Sequence, residues 1–205
     1  MRTLVLDCST EACSVALFDH DQLIAGQFEL LMRGHAERLV PMIGDLPGKG
    51  EADRVVAGLG PGSFTGVRVA IATARALAFA WQSKACGYPT LALVAAMARN
   101  QAGDVPVAVA MTGGHGEWFV EHFNARGHSA GPLASLSPTA AAAMATEDLV
   151  AGNQAQALVD LRGSGTALTL LPDARAFAVL PSVMLSEKLD PIYGRGPDAR
   201  LPGAA

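Results

Sequence analysis

The amino-acid sequence predicts an α/β fold. Three observations carry that prediction: an opening series of short apolar segments spaced as strands, a glycine-rich loop between a strand and a long apolar helix, and a second half that restarts with a hairpin pattern. Residues 3–6, 14–18 and 23–30 are apolar stretches separated by polar breaks at 7–10 and 19–21, which reads as a three-stranded meander. Over residues 34–46, Leu39, Val40, Met42, Ile43 and Leu46 recur at helical spacing, with Pro41 expected to kink the helix or lie near its first turn. After Gly48-Lys49-Gly50, residues 54–58 form a buried strand that leads into Gly60-Pro61-Gly62-Ser63-Phe64-Thr65-Gly66. A helix over 65–81, a strand over 86–88 and a helix over 91–100 complete a first lobe, residues 1–102. The break Gln101-Ala102-Gly103-Asp104 is the expected boundary, and beyond it 105–110 and 117–124 are strands around a turn at 112–116. Residues 103–190 are assigned to a smaller second lobe, and the Pro- and Gly-rich residues 191–205 to a mobile tail.

Composition narrows the function classes. Half of the 205 residues are hydrophobic and 17% are charged, while aromatics are scarce, so the chain is a folded, alanine-packed protein. Its 15 basic and 19 acidic residues give a net charge of -4, which argues against a stand-alone nucleic-acid binder, because phosphate contacts supply most of such affinity. The start reaches Asp7 too soon for a signal peptide. The most apolar stretch, 67–81, carries Arg68 and Arg75 and falls short of the ~20 residues that cross a bilayer. The expected location is cytoplasmic. Cys8, Cys13 and Cys86 form neither an even framework nor a Cys-x-x-Cys pair, and are read as buried thiols.

The glycine-rich loop admits two readings. As a phosphate or nucleotide cradle it would use backbone amides and the N-terminus of the following helix, with Asp7, Ser9, Thr10, Gly60, Pro61, Gly62, Ser63, Thr65 and Gly66 around the ligand. As a tight strand-to-helix turn it would use Ser63 as N-cap. No Gly-Lys-Ser/Thr follows, so it is not a P-loop, and Cys86-Gly87-Tyr88 supplies no acid for a dinucleotide ribose. In the helix that follows, Gly66, Ala70, Ala74 and Ala78 form a smooth face, apolar residues cover much of the remainder, and Arg68 and Arg75 mark one polar stripe. Such a helix must be buried, either half in the core and half against another subunit or wholly between two layers, and the first is the reading taken. The partner surface is therefore placed on His35, Leu39, Met42, Ile43 and Leu46 of one helix and on Arg68, Ile71, Ala72, Arg75 and Phe79 of the other. Left alone, this patch would pair with itself in a two-fold homodimer.

Other chemistries lack their residues. The histidines at 20, 35, 115, 122 and 128 include no pair spaced for one helical face, so no metal site is expected. His115-Gly116-Glu117 has no Pro-Cys-x-x-Cys after it, which excludes a zinc deaminase. Gly62-Ser63-Phe64-Thr65-Gly66 is one residue too long for a nucleophile elbow. Asp7 is one carboxylate without an acidic partner nearby, and its role is read as structural rather than catalytic.

Three segments carry a family resemblance: 4–17 (Leu-Val-Leu-Asp-Cys-Ser-Thr-Glu-Ala-Cys-Ser-Val-Ala-Leu), 35–42 (His-Ala-Glu-Arg-Leu-Val-Pro-Met) and above all Gly60-Pro61-Gly62-Ser63-Phe64-Thr65-Gly66-Val67-Arg68. Over about residues 2–95 the chain resembles the TsaB (YeaZ) family, and beyond that the likeness thins to Gly116-Glu117 and Pro191-x-Tyr193-x-Arg195. The resemblance implies the actin-like, sugar-kinase and Hsp70 class of ATPase folds, with two ribonuclease H-like lobes, the second abbreviated. It implies a non-catalytic subunit of tRNA N6-threonylcarbamoyladenosine modification that pairs with the transferase TsaD and helps recruit the ATPase TsaE. It further implies that tRNA is met only through the complex, and that no cofactor is held tightly, ATP or ADP binding at the complex interface. Where TsaD carries a metal-binding His-x-x-x-His, this chain has Thr90 and Val94, which cannot hold a metal. Thr112-Gly113-Gly114 stands where the family has Asp-Ala-Arg. The alternative within the same superfold is a small-molecule kinase or ATPase using Asp7 and the 60–66 loop.

Overall fold

A computed structural model describes residues 1–195. Its first sheet grows from β1 (Arg2–Asp7), which lies antiparallel to β2 (Ala12–Asp19) and parallel to β4 (Arg54–Gly58); β3 (Gln22–Leu30) and β5 (Lys84–Tyr88) are the edges, in the order β3-β2-β1-β4-β5. The central strands β1, β2 and β4 are buried on both faces, which is why they read as continuous apolar runs rather than alternating ones. The second sheet repeats this plan. β6 (Val107–Thr112) is antiparallel to β7 (Trp118–Phe123) and parallel to β9 (Leu149–Ala151), β8 (Ala134–Leu136) and β10 (Thr166–Leu168) are the edges, and the order is β10-β9-β6-β7-β8. Two lobes built on one topology, a meander followed by two parallel strands, give the α/β architecture that the sequence predicts.

The side-chain alternation of each strand separates three cores. On the outer face of the first sheet, Leu4, Leu6 and Val15 meet α1 (His35–Gly44) and α2 (Phe64–Trp81). On its inner face, Val5, Phe18, Val56 and Tyr88 meet α3 (Thr90–Ala102), which lies between the sheets and touches Val107, Val109 and Met111 of the second. Beyond the second sheet, Ala108, Ala110, Val120 and Val150 pack under α4 (Pro138–Met144) and α5 (Ala155–Arg162). No helix among the described residues is long and apolar enough to cross a membrane. All three cysteines are free and buried.

Three expectations need correction. First, the second lobe does not hold the chain through residue 190. A 3-10 helix, Ala174–Val179, returns to the inner face of the first sheet, where the Ala174 N–H donates to Ser14 Oγ and the Phe177 ring lies 5.9 Å from Phe18 and 6.1 Å from Tyr88. Phe18 and Tyr88 are among the largest buried side chains, and the return segment completes the cover that α3 begins. Ser186 then bridges to Gly87, and the Ile192 N–H donates to the Leu59 carbonyl at 2.7 Å. Second, residues 191–195 are docked rather than tail-like; residues 196–205 lie outside the described residues. Third, Leu39, Met42, Ile43, Leu46 and Ile71 are buried inside the chain's own core and present no partner surface. Helical periodicity identifies an apolar face but not what covers it, and here the first sheet covers it. Pro41 sits within α1 rather than in its first turn.

Candidate functional site

The carboxylate of Asp7 ends β1 and is buried beneath the β1–β2 turn. It accepts the Ser9 N–H at 2.8 Å, the Tyr88 hydroxyl at 2.9 Å and the Thr90 hydroxyl at 3.4 Å. Having given its proton to Asp7, the Thr90 oxygen accepts from the Ser9 hydroxyl at 2.9 Å and from the Gly60 N–H at 3.2 Å. Five groups thereby join β1, β5, α3 and the glycine-rich loop. Burial raises the Asp7 pKa above the usual carboxylate range, and the donors from Ser9, Tyr88 and Thr90 only partly oppose it.

That balance makes a prediction. Asp7→Ala should cost about 3 kcal/mol by stranding the buried donors, whereas Asp7→Asn keeps an acceptor for Ser9 and offers an amide to the two adaptable hydroxyls. A raised native pKa means that the folded chain holds this proton longer than the unfolded chain. The contribution is therefore full below the unfolded aspartate range and is lost as pH rises through the folded value. Asparagine does not titrate, so urea unfolding from about pH 4 upward should show Asp7→Asn gaining on the parent chain. A difference independent of pH would remove the ionisation cost from the account.

The glycines of the loop are used for close packing. A Cβ on Gly58 would collide with the Asp7 carboxylate, one on Gly62 with the Ser9 carbonyl oxygen, and one on Gly66 with the Cys8 carbonyl oxygen. The Gly60-Pro61 peptide is cis. The Ser63 N–H donates to the Ser9 carbonyl at 2.7 Å, and the Ser63 hydroxyl caps α2 by accepting the Gly66 N–H at 3.2 Å. The N-capped turn is present, with the Ser63 hydroxyl engaged as the cap.

A cleft of about 600 Å³ opens between the lobes, with Ser9, Thr10, Glu11, His35 and Glu37 on one side and Thr112, Gly113, Gly114 and Asn153 on the other. Gly62, Ser63, Thr65 and Gly66 also line it. Across it the Asn153 amide donates to Glu11 at 3.1 Å while its carbonyl accepts the Thr112 N–H at 2.8 Å. Arg33 brings a cation to the same cleft. The amides of Gly60 and Ser63 and that of Gly66 are engaged within the chain, Asp7 is sealed under the turn, and Glu11 brings a carboxylate to the cleft. Thr90 and Val94 are both fully buried, one in the Asp7 network and the other in the central core. His35 lines the cleft rather than the outer helix face on which the sequence reading set it.

The outer face of α2 has a different character. Arg68 lies over the Phe64 ring at 3.6 Å and donates to the Tyr193 hydroxyl from Nε at 3.1 Å and Nη2 at 2.8 Å. Arg75 donates to the Leu189 carbonyl at 3.0 Å. The predicted polar stripe is thus joined to the returning C-terminal segment. Beside it Ala72, Ala76 and Ala80 are exposed, and Phe79 is 88% exposed. Sequence reasoning missed Tyr88, Glu11 and Asn153; Tyr88 alone gave a signal, as a hydroxyl at the end of an otherwise apolar strand.

Comparison with known proteins decides the family. Residues 29–162 match the family model described as TsaD: tRNA N6-adenosine threonylcarbamoyltransferase. The solved structure of YeaZ from Pseudomonas aeruginosa superposes with a TM-score of 0.79 at 32% identity, covering 94% of this chain and 99% of that one. The chain belongs to the TsaB (YeaZ) family. The tRNA threonylcarbamoyladenosine biosynthesis protein TsaB of Escherichia coli (strain K12) is 37% identical over 124 residues, 58% of this chain and 53% of that protein. TsaB of Haemophilus influenzae (strain ATCC 51907 / DSM 11121 / KW20 / Rd) is 46% identical over 81 residues, 37% of this chain and 34% of that protein. The chain thus spans about half the length, or less, of the curated TsaB relatives that it matches. Within the TsaB family frame, the N-capped loop and the outward face of α2 are the two features that bear on function.

Proposed function

We propose that the chain is a non-catalytic subunit in the formation of N6-threonylcarbamoyladenosine in tRNA, acting in the cytoplasm by pairing with the transferase TsaD and helping to recruit the ATPase TsaE. The observation that carries this reading is a division of labour on α2. Its N-terminal loop packs its glycines against the β1–β2 turn and caps the helix, while its outer face leaves Ala72, Ala76 and Phe79 uncovered. Small residues beside an exposed aromatic suit close approach by another helix. The partner surface is accordingly narrowed to Arg68, Ala72, Arg75 and Phe79, with Val40 of α1, which is 58% exposed, as a flanking contact.

The test is reconstitution: the modification assay with TsaD and TsaE, with and without this chain, alongside co-purification with TsaD. Modification that proceeds at full rate without the chain would refute the proposal. The isolated chain is expected to show no threonylcarbamoyl transfer and no turnover-level ATP hydrolysis. Steady-state turnover that survives repurification and disappears on Asp7→Ala would favour the kinase or ATPase alternative.

Nucleic acid gives a further prediction. With a net charge of -4, the chain alone should bind tRNA weakly at physiological salt and meet it only inside the complex. ATP or ADP belongs to the complex interface in this reading, not to the cleft of the isolated chain. A gel-shift titration showing tight tRNA binding by this chain alone would contradict the first statement.

A further inference from the structure

Cys8 and Cys13 flank the turn that forms one wall of the interlobe cleft. The register of β1 against β2 ends at Asp7↔Ser14, so the two cysteines occupy the next cross-strand position. Their Sγ atoms are 3.5 Å apart, and both residues are fully buried and reduced. Adjacent antiparallel positions have Cα separations of about 4.5–5.5 Å, within the range that a disulfide spans. Between the cysteines in the chain, Ser9, Thr10 and Glu11 line the cleft, so the turn that joins the pair is reached by solvent.

We infer that Cys8 and Cys13 are a site of reversible oxidation, closing to an intrachain disulfide when a small peroxide reaches the cleft. The hydrogen bond from the Cys8 thiol lowers the Cys13 pKa and raises that of Cys8, which assigns the first step to Cys13. Its thiolate attacks one peroxide oxygen and breaks the O–O bond. The sulfur becomes a sulfenic acid, and the departing hydroxide takes a proton to become water. Cys8 sulfur then attacks the sulfenic sulfur, the S–S bond forms, and the hydroxyl leaves with the Cys8 proton as a second water. Two thiols are oxidised and one peroxide is reduced to two waters. The sulfurs must close from 3.5 Å to about 2.05 Å. That movement acts on the turn whose Ser9 carbonyl receives the Ser63 N–H and whose Cys8 carbonyl abuts Gly66, so the N-cap of α2 feels it.

The full chain itself provides the test. After exposure of the native protein to hydrogen peroxide, the intact mass should fall by two hydrogens and recover with dithiothreitol. Tryptic cleavage leaves Cys8 and Cys13 in one peptide, residues 3–33, and Cys86 in another. The first peptide should resist alkylation until reduced, and cutting it after Glu11 should leave its two pieces joined. Cys86 should still alkylate in full. Cys8→Ser, a nearly isosteric change, should instead leave Cys13 as a sulfenic acid that dimedone traps. Free Cys8 and Cys13 after peroxide treatment, a sulfinic acid at Cys13, or a bridge to Cys86 or to a second chain would each overturn the assignment. The mass readout is taken on the unmodified sequence, so it stands whether or not the variant folds.

Discussion

Gly66→Ala is expected to destabilise the chain by about 3 kcal/mol or more, because the new methyl would meet the Cys8 carbonyl oxygen well inside van der Waals contact. Gly62→Ala should behave alike against the Ser9 carbonyl oxygen. In both cases the obstacle is backbone within a central strand-to-turn junction, which cannot rotate away as a side chain would. Gly44 supplies the control. It ends α1 with nothing within 4 Å of a Cβ, so Gly44→Ala should gain about 0.5–1 kcal/mol through helix propensity. Thermal unfolding decides between packing and anion binding as the reason for these glycines: for a chain of this size 3 kcal/mol corresponds to about 6–12 °C in Tm. If Gly66→Ala melts with the parent chain and only partner-dependent activity falls, the loop has room that its geometry denies.

The second large effect concerns assembly. Ala72→Arg should leave Tm nearly unchanged, since the residue is exposed and arginine is a good helix former, with a propensity cost below about 0.5 kcal/mol. Association with TsaD should nevertheless weaken by about 3–5 kcal/mol, roughly a hundredfold to several thousandfold, by analogy with a charge left buried and unpaired. The self-associated dimer expected of the isolated chain should dissociate with it. Sedimentation of the mutant, alone and with TsaD, checks both. Leu39→Arg is the contrasting variant: that side chain is buried in the outer core of the first lobe, so it should unfold the protein rather than dissociate it. Intact assemblies with Ala72→Arg would move the interface off α2.

The difference between Ala72 and Leu39 shows where the sequence stopped being informative. Strand and helix positions in the first lobe were legible because β1, β2 and β4 carry apolar runs bounded by Asp, Gly and Pro punctuation. Whether an apolar helical stripe meets its own sheet or another chain is a tertiary question, and Leu39, Met42, Ile43 and Ile71 went to the sheet. The loop was ambiguous for a related reason. Glycines that admit a phosphate and glycines that admit another loop look alike until the neighbour is known, and here the neighbour is the backbone of Cys8 and Ser9. The second lobe was hardest to read because β8, β9 and β10 have three residues each, too short for a period to register. Nothing local announces that Ala174–Val179 packs on a sheet whose β2 contact, Ser14, lies 160 residues earlier.

That return has a consequence for how the protein is made. On the ribosome, the strands and helices of the first lobe emerge before the second lobe exists, yet Phe177, Ser186 and Ile192 arrive only after the second lobe has been made. At about 5–20 residues per second, the stretch from Ala102 to Ile192 takes roughly 5–20 s to synthesise. Throughout that interval the nascent chain carries Phe18 and Tyr88 without the aromatic ring that covers them, and Leu59 without its backbone partner. A fragment ending at the lobe boundary would keep that exposure permanently, even though it contains a whole sheet and its helices. Translation pauses between the two lobes would lengthen the time in which an unfinished inner face is open to chaperones or to aggregation, and residues made after the second lobe close the lobe that began first.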